Sequence, residues 1–297
     1  MIFAAKNTKL KLNEVDILAS QCTLDVATSI SPRYDAGDRH TRTYFADNGL
    51  GSSLTFTHYL TGDLDKIKTF ISEQGELIGP DNRSNEGQII SGSFGGLTFT
   101  SGYLASYTIR FEPNRPVTAN STVVFYDDLD GEFTQNIEPI QEESILNCKN
   151  ITFENTSTEE MGEINDFISA SYNYTSDITP VYLAGNTVPD RISFGRKNVA
   201  MGIQVDNPTG YMHYNGITAN FKINLFNHGG TESIENFSCF GTLQSRAIQA
   251  RAGDRVNHQL AVISHKHHGY SLAEIFGMTP TVRPDINEGI YPPPNLN

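Results

Sequence analysis

The chain has 297 residues, a formal charge of −13 at pH 7, 17 Phe, 13 Tyr and no Trp. That length holds two cores of roughly 130–150 residues each, and the acidic balance excludes a protein that grips nucleic acid by charge, because the cationic surface that releases counterions is missing. No apolar run approaches the roughly 20 residues needed to span a bilayer. Met1 to Ala5 is apolar, but Lys6 ends the run at once, so no signal peptide is expected.

From the N-terminus, Lys9–Leu12 and Ile17–Ile30 read as strands, the second alternating at Cys22, Leu24 and Val26. Ser31 to Ser53 is a long polar excursion carrying Asp35, Asp38, Arg33, Arg39, Arg42 and His40. Alternation resumes at Leu54–Leu60. The clearest helical pattern follows: Thr61 or Asp63 can cap it, Leu64, Ile67, Phe70 and Ile71 share a face, and Gly75 stops it. After a polar loop at 80–88, Ile89–Ile109 alternates around Gly92, Gly95 and Gly96, and a hairpin runs on to about Tyr126. Glu132–Asn150, acidic and poorly periodic, reads as a connection.

Beyond it, Ser157 and Glu160 have capping-box spacing, so Met161, Ile164, Phe167 and Ile168 fit a helix, while alignment with an earlier strand fits an extended Phe167–Tyr174. Tyr182–Arg196 reads as a second loop, and Val199–Val205 and Ile217–Phe226 as strands. Ser271 and Glu274 form another capping box, closed by Gly277. Met278–Asn297 holds five Pro and no periodic pattern, the mark of a tail.

One stretch occurs twice. At an offset of 139 residues, Gly102/Gly241, Leu104/Leu243, Ser106/Ser245, Ile109/Ile248, Val117/Val256, Val123/Val262 and Val124/Ile263 match without a gap. Each copy is two strands joined by a turn-rich middle, Pro113–Pro116 in the first and Ala252–Asp254 in the second. Upstream, Ile30-Ser31-Pro32-Arg33-Tyr34 matches Ile178-Thr179-Pro180-Val181-Tyr182 at an offset of 148, with Asp25 against Asn173. Two ordered pairs of matches imply a duplicated domain. The expected division is 1–145, 146–277 and a tail at 278–297.

Candidate chemistry is sparse. His265 and His267 share a strand face and are a candidate metal pair, but the matching residues of the first copy are Tyr126 and Asp128, so a polar hairpin end is the favoured reading. Asp128-Leu129-Asp130-Gly131-Glu132 echoes part of a calcium loop yet lacks the distant Glu and flanking helices, and an acidic turn is favoured. Gly92-Ser93-Phe94-Gly95-Gly96 lies in a strand-like region and reads as a bulge or close backbone approach, not a phosphate loop. No nucleophile elbow appears. The expectation is no catalytic, cofactor-binding or metal residue, and no enzyme. Cys22, Cys148 and Cys239 are odd in number and far apart, which suits synthesis in a reducing cytoplasm.

The run from Ser171 to Gly185, SYNYTSDITPVYLAG, resembles the leading strands of phage tail-tube proteins, and the strand–long loop–strand–helix–hairpin order of 8–130 resembles their architecture. The resemblance implies a mainly β fold with a flanking helix, two tandem β-sandwich or half-barrel domains. It also implies a virion component in which three two-domain chains make a pseudo-hexameric ring. Rings would stack into a channel through which DNA passes without specific binding, with tape measure, terminator and baseplate proteins as partners. The alternatives are a baseplate hub or distal tail adaptor, and a β-rich module binding host-surface carbohydrate. In a ring, the channel wall is expected to carry more acid than base, and the loop at 31–53 to make axial contacts.

Overall fold

Alternating side chains dominate the chain, and the fold follows from them. The computed structural model describes residues 10–27, 30–34, 40, 43–46, 51–60, 90–112, 115–126, 129–133, 151–155, 163–164, 167–184, 186, 188–206, 216, 218–226, 233–249 and 256–264. These hold sixteen strands and no helix. The protein is mainly β: fourteen strands form one antiparallel sheet and two form a separate pair. The helices read at 64–71 and 271–277, the His265–His268 run and the proline-rich tail lie outside the described residues, as does the division at 145/146.

β1 (Leu10–Leu12) and β2 (Val15–Ile17) form a hairpin. Asn13 and Glu14 between them have φ of 46° and 65°, the paired left-handed conformations that a two-residue hairpin turn requires. β3 (Ala19–Ala27) follows, then β4 (Ile30–Arg33) and β5 (Thr43–Ala46). Among the described residues the last two pair with each other alone, so the polar excursion at 31–53 opens into an extended hairpin, and its last residues, from Gly51, already belong to the next strand of the main sheet. β6 (Gly51–Tyr59) alternates without a break, burying Ser52, Leu54, Phe56 and His58.

β7 (Ile90–Phe94) turns through Gly95 and Gly96 into β8 (Leu97–Phe111). Both glycines have positive φ, 58° and 88°. The glycine cluster is therefore a tight turn at its end, with only Gly92 in the role of a close approach: a Cβ there would lie 2.2 Å from the Phe99 ring. β9 (Thr118–Phe125) completes this part.

β10 (Ile151–Asn155), β11 (Glu163–Ile164) and β12 (Phe167–Val181) follow, then β13 (Arg191–Val205), β14 (Thr218–Phe226), β15 (Ser233–Gln249) and β16 (Asn257–Ser264). Residues 163–164 and 167–181 are extended, so the helical alternative for Met161–Ile168 fails where it is described. The second loop is only 182–190, because β13 starts at Arg191. Thirteen ladder pairs with β12 hold it extended, although Gly195, Arg196, Lys197 and Asn198 carry no apolar pattern.

The same seven-strand order occurs twice: β2-β1-β7-β8-β9-β6-β3 and β11-β10-β14-β15-β16-β13-β12. The registers repeat as well. Leu104 opposes Val123 as Leu243 opposes Val262, Ile109 opposes Ala119 as Ile248 opposes His258, and both hairpins carry a bulge between these pairs. At the other offset, Ile30 opposes Ala46 as Ile178 opposes Phe194, and Pro32 opposes Tyr44 as Pro180 opposes Ile192.

The core is one aromatic and aliphatic cluster running through both sets of strands, with Phe56, Tyr107, Phe111, Tyr174 and Phe221 fully buried. His58 sits in it beside Tyr107, ring centroids 6.3 Å apart, and neither ring nitrogen has a hydrogen-bond partner among the described residues. Burial pushes its imidazole down to about 4. The unfolded chain binds this proton near pH 6.5, so the stability held with neutral His58 is complete above that pH. It is lost as pH falls towards 4, by on the order of 3 kcal/mol. The matching position of the second set is Val205. His58→Val should therefore flatten the slope of unfolding free energy between pH 6.5 and 4 relative to the parent. Parallel curves from denaturant titrations would refute this.

Candidate assembly interface

Three features of the sheet bear on function: its polar outer face, the seam inside the chain, and the edges left open. Side chains opposite the core on β6, β8, β9, β12 and β13 are mostly Ser, Thr, Asn and Gln. They bond to one another, across strands with Ser169 Oγ donating to Gln204 Oε1 at 3.2 Å and Thr55 and Thr122 hydroxyls 3.4 Å apart, and along β12 with Asn173 Nδ2 donating to Ser171 Oγ at 3.4 Å. A shallow groove of about 430 Å³ on this face is lined by Arg110, Glu112, Ser169, Ser171, Gln204 and Gln259 among others.

The seam joins the two sets of strands. β12 pairs with the second half of β8, Ala170 opposite Phe111, Tyr172 opposite Ile109 and Thr175 opposite Ser106. Period-2 alternation turns the larger side chains inward, and Phe237 closes over the seam, its ring 5.8 Å from Phe111 and 5.4 Å from Tyr172. Farther out, the β12–β13 hairpin lies on the outer end of β8–β9. Phe194 meets Tyr103 edge-on at 5.5 Å, and Tyr103, Tyr126 and Ile192 form a small separate cluster with Val124 and Ile178 packed against it. Burial, reinforced by Tyr182 and Tyr103, raises the Tyr126 phenol. Sequence reading had marked Ile178-Thr179-Pro180-Val181-Tyr182 as part of the repeat, but not that it lies against the first hairpin.

Among the described residues β2 and β11, the outermost strands of the long path, pair on one side only, and two further edges are open, those of the strands equivalent to the seam pair. β3 pairs with β6 on one side only. On β15, the Leu243 carbonyl accepts Gly216 N–H at 2.8 Å, and beyond it Ser245–Gln249 pair with β16 alone. Such edges are templates for another strand. Large apolar groups surface at both ends: Val26 is 55% exposed, Ile248 47% and Ile263 40%.

Of the residues singled out for chemistry, His265, His267 and Asp128 lie outside the described residues, and those described do not converge. Asp130 is exposed, bridges to Thr98 and accepts the Gly131 N–H on its own Oδ1 at 3.2 Å, an acidic turn. Among the described residues no three His, Cys, Asp or Glu come together to hold a metal. Cys22 and Cys239 are free, and burial pushes both thiols up to about 12, so neither is a poised thiolate at neutral pH. No helix among the described residues is long and apolar enough to cross a membrane. No protein-family model matches the chain, and no curated protein matches it.

Proposed function

We propose that this chain is a structural subunit of a phage tail tube. Three chains, each carrying two tail-tube-like domains, would form a pseudo-hexameric ring, and rings would stack into a channel that DNA traverses without being gripped. The observation that carries the reading is the repeat of one seven-strand order within a single sheet, joined through β8 and β12 and open at both ends of the tandem. A sheet built from equivalent units and left open is the natural input to a closed ring, where every edge finds a partner. An outer face mostly of hydroxyl and amide side chains suits a wall past which a polyanion slides. Acidic net charge works in the same direction.

Negative-stain microscopy of the purified full chain tests the reading. Hollow tubes or isolated rings with a central channel are the expected result. A protein that stays monomeric at every concentration and salt condition, in the absence of other tail proteins and in their presence, would overturn it.

A further inference from the structure

The seam inside the chain specifies how one copy meets the next. β12 and β3 are equivalent strands, since Tyr172 opposes Met201 as Leu24 opposes Leu54, and Tyr174 opposes Val199 as Val26 opposes Ser52. β8 and β15 are equivalent by their common register with β9 and β16. Within the chain, the β12 edge is covered by β8 and the β8 edge by β12. The equivalent edges of β3 and of β15 at 245–249 have no such cover among the described residues.

Exposure follows the same division. Ile109 and Tyr174 at the seam are fully buried, whereas their equivalents Ile248 and Val26 are about half exposed. Val124, beneath the β12–β13 hairpin, is partly buried, and its equivalent Ile263 is exposed. The hairpin that would lie over Ile263 is β4–β5, the counterpart of the outer β12–β13 ladder, and it pairs with nothing else in its own chain among the described residues. Val26, Ile248 and Ile263 are thus bare at positions whose equivalents at the seam are covered.

We infer that β3 of one copy adds antiparallel to residues 245–249 of β15 in the next copy. The register is that of the internal seam: Thr23 opposite Gln249, Leu24 opposite Ile248 and Asp25 opposite Ala247, with the β4–β5 hairpin laid over Ile263. The partner is a second copy of this chain, through two different surfaces, so the contact is heterologous and propagates until it closes or runs on as a fibre. Closure into a ring rests on the tube reading; the pairing itself does not.

The test is cysteine pairing in the full chain. Directly opposite residues of an antiparallel ladder have Cβ atoms about 4.5–5.5 Å apart, and diagonal ones about 7–8 Å. Asp25→Cys with Ala247→Cys, in a Cys148→Ser background and treated with a short bifunctional thiol reagent, should give a covalent ladder of chains. It should form severalfold faster than with Asp25→Cys and Gln249→Cys. A ladder that stops at three chains supports both the junction and the ring. One that continues without limit supports the junction and overturns the three-chain ring. An equal or faster diagonal pair overturns the register. Absence of cross-links in a variant that still forms tubes overturns the junction and leaves the tube reading standing. A parent that does not assemble, together with a cysteine pair that does not cross-link, overturns both.

Discussion

Removal of residues 36–48 is expected to leave the fourteen-stranded sheet folded and to abolish long tubes. The excised stretch holds Asp38, Arg39 and Arg42 and includes β5, whose only partner among the described residues is β4. No ladder of the main sheet is cut, so the far-ultraviolet signal and the cooperative unfolding transition should persist. Mixed charge in the sequence between β4 and β5 would be solvated in an isolated chain. Against a stacked ring it would make charge-assisted hydrogen bonds, which are shorter and stronger than neutral ones. Micrographs separate the outcomes. Rings without tubes mean that the hairpin acts axially; single chains mean that it acts within the ring, as its place over Ile263 would require. Tubes as long as the parent's would show that it does neither.

Ile248→Lys should have the second largest effect, and on assembly alone. Ile248 is 47% exposed, and exposed substitutions usually shift stability by no more than about 0.5 kcal/mol. The thermal midpoint of the single chain should barely move. At the junction the same side chain would be as buried as Ile109. Losing that burial costs about 2 kcal/mol at each junction, and a lysine on a strand edge opposes pairing besides. At roughly 1.4 kcal/mol per tenfold, each junction weakens on the order of thirtyfold, and a closed ring of three suffers this three times. Sedimentation velocity of parent and variant over a concentration series gives the comparison. Unchanged assembly of the lysine variant would show that Ile248 does not face a neighbour.

Much of this was legible in the sequence. The match at Gly102/Gly241 was visible because the close packing at that point of the hairpin repeats. A Cβ on Gly102 or on Gly241 would come within 3.0 Å of the same valine, Val123 or its equivalent Val262. Strict alternation disclosed β6 and β9 because each buries one face. Strands that do not bury a continuous face were not legible. The first half of β13 reads as loop, yet long-range pairing with β12 keeps it extended. Gly195 is there because a Cβ would lie 2.9 Å from Asp177 Cβ, beside the register shift between Ser176 and Ile178.

The sequence by itself determined that the chain is β-rich, that its central hairpin occurs twice, and which side chains on the alternating strands turn inward, because those properties are set within a few residues of each position. Which strand lies beside which was decided only by the tertiary structure. The seam between β8 and β12 and the open edges of β3 and β15 depend on backbone groups that every residue carries. Hydrogen-bonding capacity is the same at Leu24 as at Tyr172, and at Ile248 as at Ile109. What differs is whether a strand from elsewhere in the chain has come to cover them.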